Sequence, residues 1–217
     1  MGKYLAEKSF TTIAPLLPGH GTTLDELIKT NTDDWSKEYS YAFNWLKEYC
    51  EEFFVCGLSL GGVLTLRFAI ENEVNGIISM ATPAKFKFHQ GLLLSLIAPI
   101  LRNFAIKKSK EELKGQEKYN IICYDKYPIW PANSIRKLVK RNQFQLKDIT
   151  DPILIIQGSL DENWLKESAK IIYDRVSSKD KELVFLEKSP HSLTHGSEKE
   201  LVNEIIYNFI KKNSKLI

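Results

Sequence analysis

Residues 52–71, EFFVCGLSLGGVLTLRFAIE, constrain this chain more than any other stretch. A short apolar run, Glu52–Cys56, enters Gly57-Leu58-Ser59-Leu60-Gly61-Gly62, and an apolar helical pattern, Val63–Glu71, leaves it. Side chains in place of the glycines would collide with the neighbouring strand and helix. A strand that passes so abruptly into a helix holds a serine at a strained elbow with its Oγ exposed. The bland alternative is a glycine-rich helix start with a capping serine.

The elements around this turn alternate in type, which predicts an α/β fold with a mainly parallel sheet flanked by helices. Tyr4–Lys8 reads as the end of a helix and Phe10–Leu17 as a strand closed by Pro18-Gly19. A long helix is expected over Thr32–Cys50, capped by Thr32 or Asp33, with Trp35, Tyr39, Ala42, Phe43 and Leu46 at helical spacing. Strands follow at Glu52–Cys56, Val74–Met80, Pro152–Gln157 and Glu182–Glu187, and helices at Val63–Glu71, Trp164–Val176 and Ser197–Lys212. Residues 84–147 break the alternation. They hold apolar and Lys-rich helical segments, Gly91–Ile106, Lys108–Lys118 and Ser134–Phe144, with no strong strand, as expected of a small inserted helical cap. At 217 residues the chain is read as one domain carrying that insertion.

Charge narrows the possible partners. Thirty basic and 27 acidic residues leave a surplus of only +3, and the five arginines, at 67, 102, 136, 141 and 175, are scattered. Nucleic acid is therefore not an expected partner, since phosphate recognition favours clustered Arg. Cys50, Cys56 and Cys123 form no C-x-x-C and leave one thiol over in any pairing, which suits a reducing compartment. The first residues carry no apolar run of the signal-peptide kind, and Leu92–Leu101, the most apolar stretch, is too short to span a bilayer and is broken by Pro99. A cytoplasmic location is expected.

A serine hydroxyl needs a base to take its proton. His191 lies on the loop between the last strand and the final helix and is assigned as that base, with His195 its close competitor. The pair in HSLTH has the spacing of zinc ligands, but it lacks the Glu of H-E-x-x-H and an evident third ligand, so no metal is expected. His20 in Pro18-Gly19-His20-Gly21 reads as a turn histidine bonded to backbone, and His89 as structural or exposed. The base in turn needs a carboxylate to fix its tautomer. Asp161 follows the strand Pro152–Gln157 through Gly158-Ser159-Leu160. Its competing role is an N-cap for the helix near Trp164, and Glu162, Asp148 and Asp151 are weaker candidates because they do not stand at the strand's exit in the same way. The chain order Ser59, Asp161, His191 is the one used by hydrolases built on this elbow.

On these residues the chain resembles the compact bacterial carboxylesterases and monoacylglycerol lipases of the α/β-hydrolase superfamily. The matching stretches are IAPLLPGHGTT (13–23), TDDW (32–35), CGLSLGGVLTL (56–66), QGSLDE (157–162) and SPHSLTH (189–195), spread over essentially the whole chain. The resemblance implies an α/β-hydrolase fold and hydrolysis of short- or medium-chain acyl esters without a cofactor. By motif match Ser59 is the nucleophile, Asp161 the acid and His191 the base, and the Leu60 backbone N–H is one oxyanion donor. Within the class, a thioesterase or acyltransferase would carry the same triad.

Members of this family normally begin with a strand ending in a His-Gly loop that supplies the second oxyanion N–H. No such segment precedes Phe10–Leu17, and His20-Gly21 matches a later family loop. One donor fewer forgoes about 2.7–4 kcal/mol of transition-state stabilisation. In the family's strand order the absent strand lies between those at 10–17 and 52–57. The expectation is a chain truncated relative to the family; a direct pairing of the two flanking strands or a strand from another protomer are the alternatives. The rival function is a catalytically impaired remnant or a binding protein of the same fold.

For the substrate, Leu92, Leu93, Leu94, Leu96, Ile97, Ile100 and Leu101 either line an acyl pocket above Ser59 or pack the cap on the core. With Arg102, Lys107 and Lys108 beside it, the segment permits at most weak, peripheral contact with a lipid surface.

Overall fold

Two runs of β-branched and aliphatic residues are buried along their whole length, and they form the centre of the sheet. The computed structural model describes residues 1–86, 88–119 and 121–216, with the side chains of 88–92 outside the described set. In chain order its elements are α1 (Gly2–Glu7), α2 (Leu24–Lys29), α3 (Thr32–Leu46), β1 (Phe54–Leu58), α4 (Leu60–Glu71), β2 (Gly76–Met80) and α5 (Phe88–Ile97). Then come β3 (Ala105–Lys107), α6 (Lys110–Lys118), β4 (Lys126–Pro128), α7 (Ile129–Gln145), β5 (Ile153–Gly158), α8 (Asn163–Arg175), β6 (Lys181–Leu186) and α9 (Lys199–Asn213). The main sheet is parallel in the order β1-β2-β5-β6. Every residue of β2 and β5 is buried, whereas the outer strands β1 and β6 are only partly so. A parallel sheet has helices on both faces, so its inner strands read as unbroken apolar runs.

Successive residues of a strand point to opposite faces, and the core divides accordingly. Ile77, Ile153 and Ile155 pack with Phe43, Leu66, Phe68, Ala169 and Ile172 on the side of α3, α4 and α8. Ile78, Leu154 and Ile156 pack with Leu5, Val202, Ile206 and Phe209 on the side of α1 and α9. A third cluster joins Leu27, Trp35, Val63 and Leu64 to Leu138 and Val139, and so fastens α7 onto α4.

Several expectations are corrected. Residues 10–17 form no strand: they run without helical or ladder assignment, and among the described residues β1 is paired only with β2. The composition favours extension, but a strand needs a partner, Pro15 cannot donate, and among the described residues no strand lies alongside. Helix α3 is capped by Asn31, not by Thr32 or Asp33. The Asn31 side chain accepts from Asp33 N–H at 2.7 Å while Asp34 accepts from the Asn31 N–H at 3.0 Å. The Thr32 hydroxyl is instead bonded to that of Ser134 at 2.7 Å. The helix stops at Leu46, four residues short of Cys50.

Residues 84–147 contain two short strands as well as helices, since β3 and β4 pair antiparallel with Ile106 opposite Tyr127 and Lys107 opposite Lys126. Helix α5 ends at Ile97 because Pro99 disfavours helical backbone in the residue before it. Its apolar residues divide between two environments. Leu94, Ile97 and Leu101 are half-buried, but Leu93, Leu96 and Ile100 are exposed and so do not line an enclosed acyl pocket. The readings made of the side chains of His89 and Leu92 lie outside the described residues.

Burial of this degree makes the inner strands the main test of the core. Leu154→Ala, at a position with no exposed surface, is expected to cost about 2–5 kcal/mol in urea unfolding. A midpoint unchanged from wild type would show that this layer is not the stabilising one.

Candidate active site

In a parallel sheet all the carboxyl ends lie on one edge, and the three residues singled out in the sequence all leave the sheet there. Ser59 follows β1, Asp161 follows β5 and His191 follows β6.

At the first position the backbone turns through φ 56°, ψ −114° at Ser59, a conformation that L residues rarely adopt. The Ser59 N–H donates to the Met80 carbonyl at 2.8 Å, and the Ser59 carbonyl accepts from Val63 N–H at 3.1 Å. The turn is thereby tied to the end of β2 on one side and to the first turn of α4 on the other. Two glycines are required by space: a Cβ at Gly57 would overlap the Gly61 backbone, and one at Gly62 would overlap the Thr82 hydroxyl. Gly61 is different, since a Cβ there meets nothing within 4 Å, so the collision expected of every glycine in the motif holds for two of the three. Ser59 makes no side-chain cap on α4. Leu60 is the first residue of that helix, and its N–H stands where helical geometry provides no intrahelical acceptor and the helix dipole is positive.

Asp161 is almost fully buried, and three donors converge on its carboxylate. Oδ2 accepts from Gln157 Nε2 at 2.8 Å and meets His191 Nδ1 at 2.9 Å, and Oδ1 accepts from the Glu162 N–H at 2.8 Å. Burial by itself would raise the carboxyl. The hydrogen bond and charge of His191, with the Glu162 and Gln157 donors, outweigh it and hold Asp161 below the ordinary carboxylate value. An ionised carboxylate can only accept, so His191 Nδ1 carries the hydrogen of that bond, and Nε2 is the nitrogen whose lone pair is available when the imidazole is neutral. The imidazole is 40% exposed and accessible from solvent. Asp161 is not the helix cap considered as its alternative role: α8 begins at Asn163, after Glu162.

Close packing brings the two loops together. A Cβ at Gly158 would lie 2.6 Å from the Pro190 carbonyl and overlap that of Ser189, so only glycine lets the end of β5 touch the histidine loop. Leu160 N–H donates to the Ser189 carbonyl at 3.1 Å, and Ser159 N–H to that of Leu186 at 2.8 Å. Glu198 holds the loop from the far side, accepting from Lys188 N–H at 2.9 Å and Ser189 Oγ at 2.6 Å.

The side chains of the remaining candidates have other partners. His195 Nδ1 is bonded to the neighbouring Thr194 hydroxyl at 2.9 Å. His20 Nδ1 contacts the Pro18 carbonyl at 3.4 Å and its ring stands edge-on to Trp35, in keeping with a turn histidine. Asp151 accepts from Val74 N–H, and Glu162 from the Trp164 indole. Among the described residues no three His, Cys, Asp or Glu side chains are grouped to hold a metal. Sequence reasoning left Gln157 without a role. The available signal was a lone amide at the end of the apolar run ILIIQG: polar side chains in such runs are there to bond something. Its other atom, Oε1, is buried without a partner.

The chain is similar to known proteins over most of its length. The model of the family Hydrolase_4, described as serine aminopeptidase, S33, matches residues 1–199. A carboxylesterase of Bacillus subtilis (strain 168) is 31% identical over 213 residues, 98% of this chain and 85% of that protein. A thermostable monoacylglycerol lipase of Bacillus sp. (strain H-257) is 27% identical, over 96% of this chain and 82% of its own. Among solved structures, one of the metagenome-derived lipolytic enzymes LipS and LipT superposes with TM-score 0.85 at 25% identity, covering 97% of this chain and 86% of that one. The fold is the α/β-hydrolase fold.

The lowered Asp161 value has a measurable consequence. A carboxyl whose folded value lies below its unfolded 3.8 stabilises the fold above that pH and stops doing so as pH falls through the folded value. The stability difference between wild type and Asp161→Asn is therefore expected to hold from pH 7 to about 5 and to shift against wild type below about 4. Melting curves across that range check it, and a difference independent of pH would mean that Asp161 is not held ionised by its neighbours.

Proposed function

The chain belongs to the Hydrolase_4 family, and on that premise we propose that it is a serine hydrolase of short- to medium-chain carboxylic esters, monoacylglycerols included. Ser59 is the nucleophile, His191 the base and Asp161 the acid. The observation that carries the proposal is the 2.9 Å bond between His191 Nδ1 and the buried Asp161 carboxylate, on the sheet edge where the Ser59 elbow stands. The names of the two Bacillus relatives, carboxylesterase and monoacylglycerol lipase, support an ester in place of a peptide bond.

The chemistry follows from the tautomer. His191 Nε2 takes the Ser59 Oγ proton as Oγ bonds to the ester carbonyl carbon. The carbonyl electron pair moves onto oxygen, where the Leu60 N–H at the positive end of α4 meets it. Collapse of the adduct breaks the bond to the alcohol oxygen, which leaves with the proton from Nε2. Water then adds to the acyl carbon as its proton passes to His191, and the carboxylic acid departs as Ser59 is reprotonated. Asp161 stays ionised throughout and stabilises the imidazolium. No cofactor or metal enters any step. Residues 84–147 act as a cap at the site, on the support of α7 packed against α4. The free thiols Cys50, Cys56 and Cys123 support a reducing compartment, and we place the reaction in the cytoplasm.

Hydrolysis of p-nitrophenyl butyrate tests the reading. Ser59→Ala is expected to lower kcat by about 10⁴-fold or more, with a melting temperature close to wild type. Equal rates in the two proteins would remove Ser59 from the mechanism. Faster turnover of an amino-acyl p-nitroanilide than of the ester would replace the ester by an amide as substrate.

A further inference from the structure

The central strand β2 carries a hydroxyl where its pattern calls for an apolar side chain. Ser79 interrupts the run Gly76–Met80, is fully buried, and stands beside Gly57 of β1. Alternation puts it on the face of Ile77, toward α3, α4 and α8. Immediately after the strand Ala81 takes φ 45°, a left-handed turn that L residues rarely adopt, and its N–H donates to the Ile156 carbonyl at 2.9 Å. Thr82 follows, itself only 2% exposed, and packs against α4 so closely that a Cβ at Gly62 would overlap its side chain.

These two hydroxyls form a directed chain that ends on the elbow. Ser79 Oγ donates to Thr82 Oγ1 at 2.8 Å, and Thr82 Oγ1 donates to the Met80 carbonyl at 3.2 Å. The same carbonyl accepts the Ser59 N–H at 2.8 Å, so both of its lone pairs are in use. A hydroxyl has one hydrogen to give, and because Thr82 receives that of Ser79, its own is committed to Met80. Successive bonds in one direction polarise and strengthen one another. Alanine at 79 and valine at 82 would fill nearly the same space without desolvating two hydroxyls, so packing alone does not account for the pair.

We propose that Thr82 is a positioning residue for Ser59, a role that rests on the reading of Ser59 as nucleophile. Its hydroxyl, oriented by Ser79, fixes the Met80 carbonyl to which the Ser59 N–H is tied. Its side chain braces Gly62 in the first turn of α4. The strained turn at Ser59 is thereby gripped from the strand on one side and from the helix on the other, as a backbone conformation of that cost requires. Thr82 touches no substrate and acts through the backbone of its neighbours. A small displacement of a nucleophile lowers the rate of attack, so the bond to Met80 bears on kcat and leaves substrate affinity alone.

Steady-state hydrolysis of p-nitrophenyl butyrate by the full chain tests it, with hydrogen exchange of the Ser59 amide followed in the same proteins. Thr82→Val keeps the shape and removes the hydroxyl. Its kcat is expected to fall about tenfold, the worth of one hydrogen bond, with KM unchanged and the Ser59 amide exchanging about tenfold faster. Thr82→Ser keeps the hydroxyl and should return kcat to within about threefold of wild type. Ser79→Ala, which removes only the donor that orients Thr82, should fall between the two. Thr82→Val at wild-type kcat overturns the proposal, as does a change confined to KM. So does Thr82→Ser as slow as Thr82→Val, which would make shape and not the hydroxyl decisive. If Thr82→Val does not fold, Ser79→Ala decides, and wild-type kcat with wild-type Ser59 exchange in that variant overturns the proposal. Hydrolysis that persists in Ser59→Ala removes the nucleophile and the role of Thr82 with it. Hydrolysis that Ser59→Ala abolishes and the Thr82 variants leave untouched removes the role of Thr82 alone.

Discussion

The parallel ladder between β2 and β5 is the contact from which the rest of the molecule is arranged. Their register, Ile77 beside Ile153 through Met80 beside Ile156, fixes which residues face each helical layer, because a slip of one residue would exchange the two faces. Each face is packed by its own set of helical side chains, so a slipped register would mismatch both layers at once. Since the neighbouring strands β1 and β6 join in the same direction, the loops after β1, β5 and β6 emerge on one edge without further instruction. The candidate site is thus a consequence of strand direction. What remains for individual residues is to set spacing within about an ångström.

That fine adjustment is made by the absence of side chains as much as by their presence. Gly57 and Gly62 let α4 start against the ends of β1 and β2, and Gly158 lets β5 meet the backbone of 189–190. Once the loops touch, the donors around Asp161 can offset its burial. A carboxylate this deep would otherwise take up a proton and could no longer orient a histidine. Gln157 belongs to this arrangement although no step of the proposed chemistry touches it. Its Nε2 shares Asp161 Oδ2 with His191 and limits the directions in which the carboxylate can rotate.

The legibility of these features in the sequence follows how local their causes are. The elbow, the four strands of the main sheet and the helices between them are written in short windows of periodicity and glycine placement, and each was placed to within a few residues. Phe10–Leu17 was misread because β-propensity describes a side chain's fit to a sheet and says nothing of whether a partner is present. The cap of α3 lies one or two residues before the expected Thr32 or Asp33 because all three residues have capping side chains; the reciprocal bonds of Asn31 with Asp34 select Asn31, and Thr32 is taken up by Ser134. The antiparallel pair β3–β4 in 84–147 was invisible because strands of three residues carry too little pattern to register. Gln157 is the opposite case: its neighbours announced a buried strand, and its partner four residues on became evident only when the loop had folded back.

Features that cost stability are not spread evenly over the molecule. Among the described residues Ser9, Ser59 and Ala81 are the non-glycine positions with positive φ, and the last two meet at one point, where Ser59 bonds to Met80 beside Ala81. Of the two buried side-chain atoms without a partner among the described residues, Asn142 Oδ1 on α7 and Gln157 Oε1, the second stands with the desolvated Asp161 on the same edge of the sheet. Such positions cost of order 1–3 kcal/mol apiece, and they persist only where the surroundings over-determine them. Here the surroundings are the two buried strands and the helices on either face, whose apolar residues show no comparable departure. If the edge served only to close the sheet, a capping serine, a partnered amide and a solvated acid would do so at lower cost. The coincidence of strain, desolvation and an unpaired polar atom beside an accessible imidazole is the physical argument that this edge is built for chemistry.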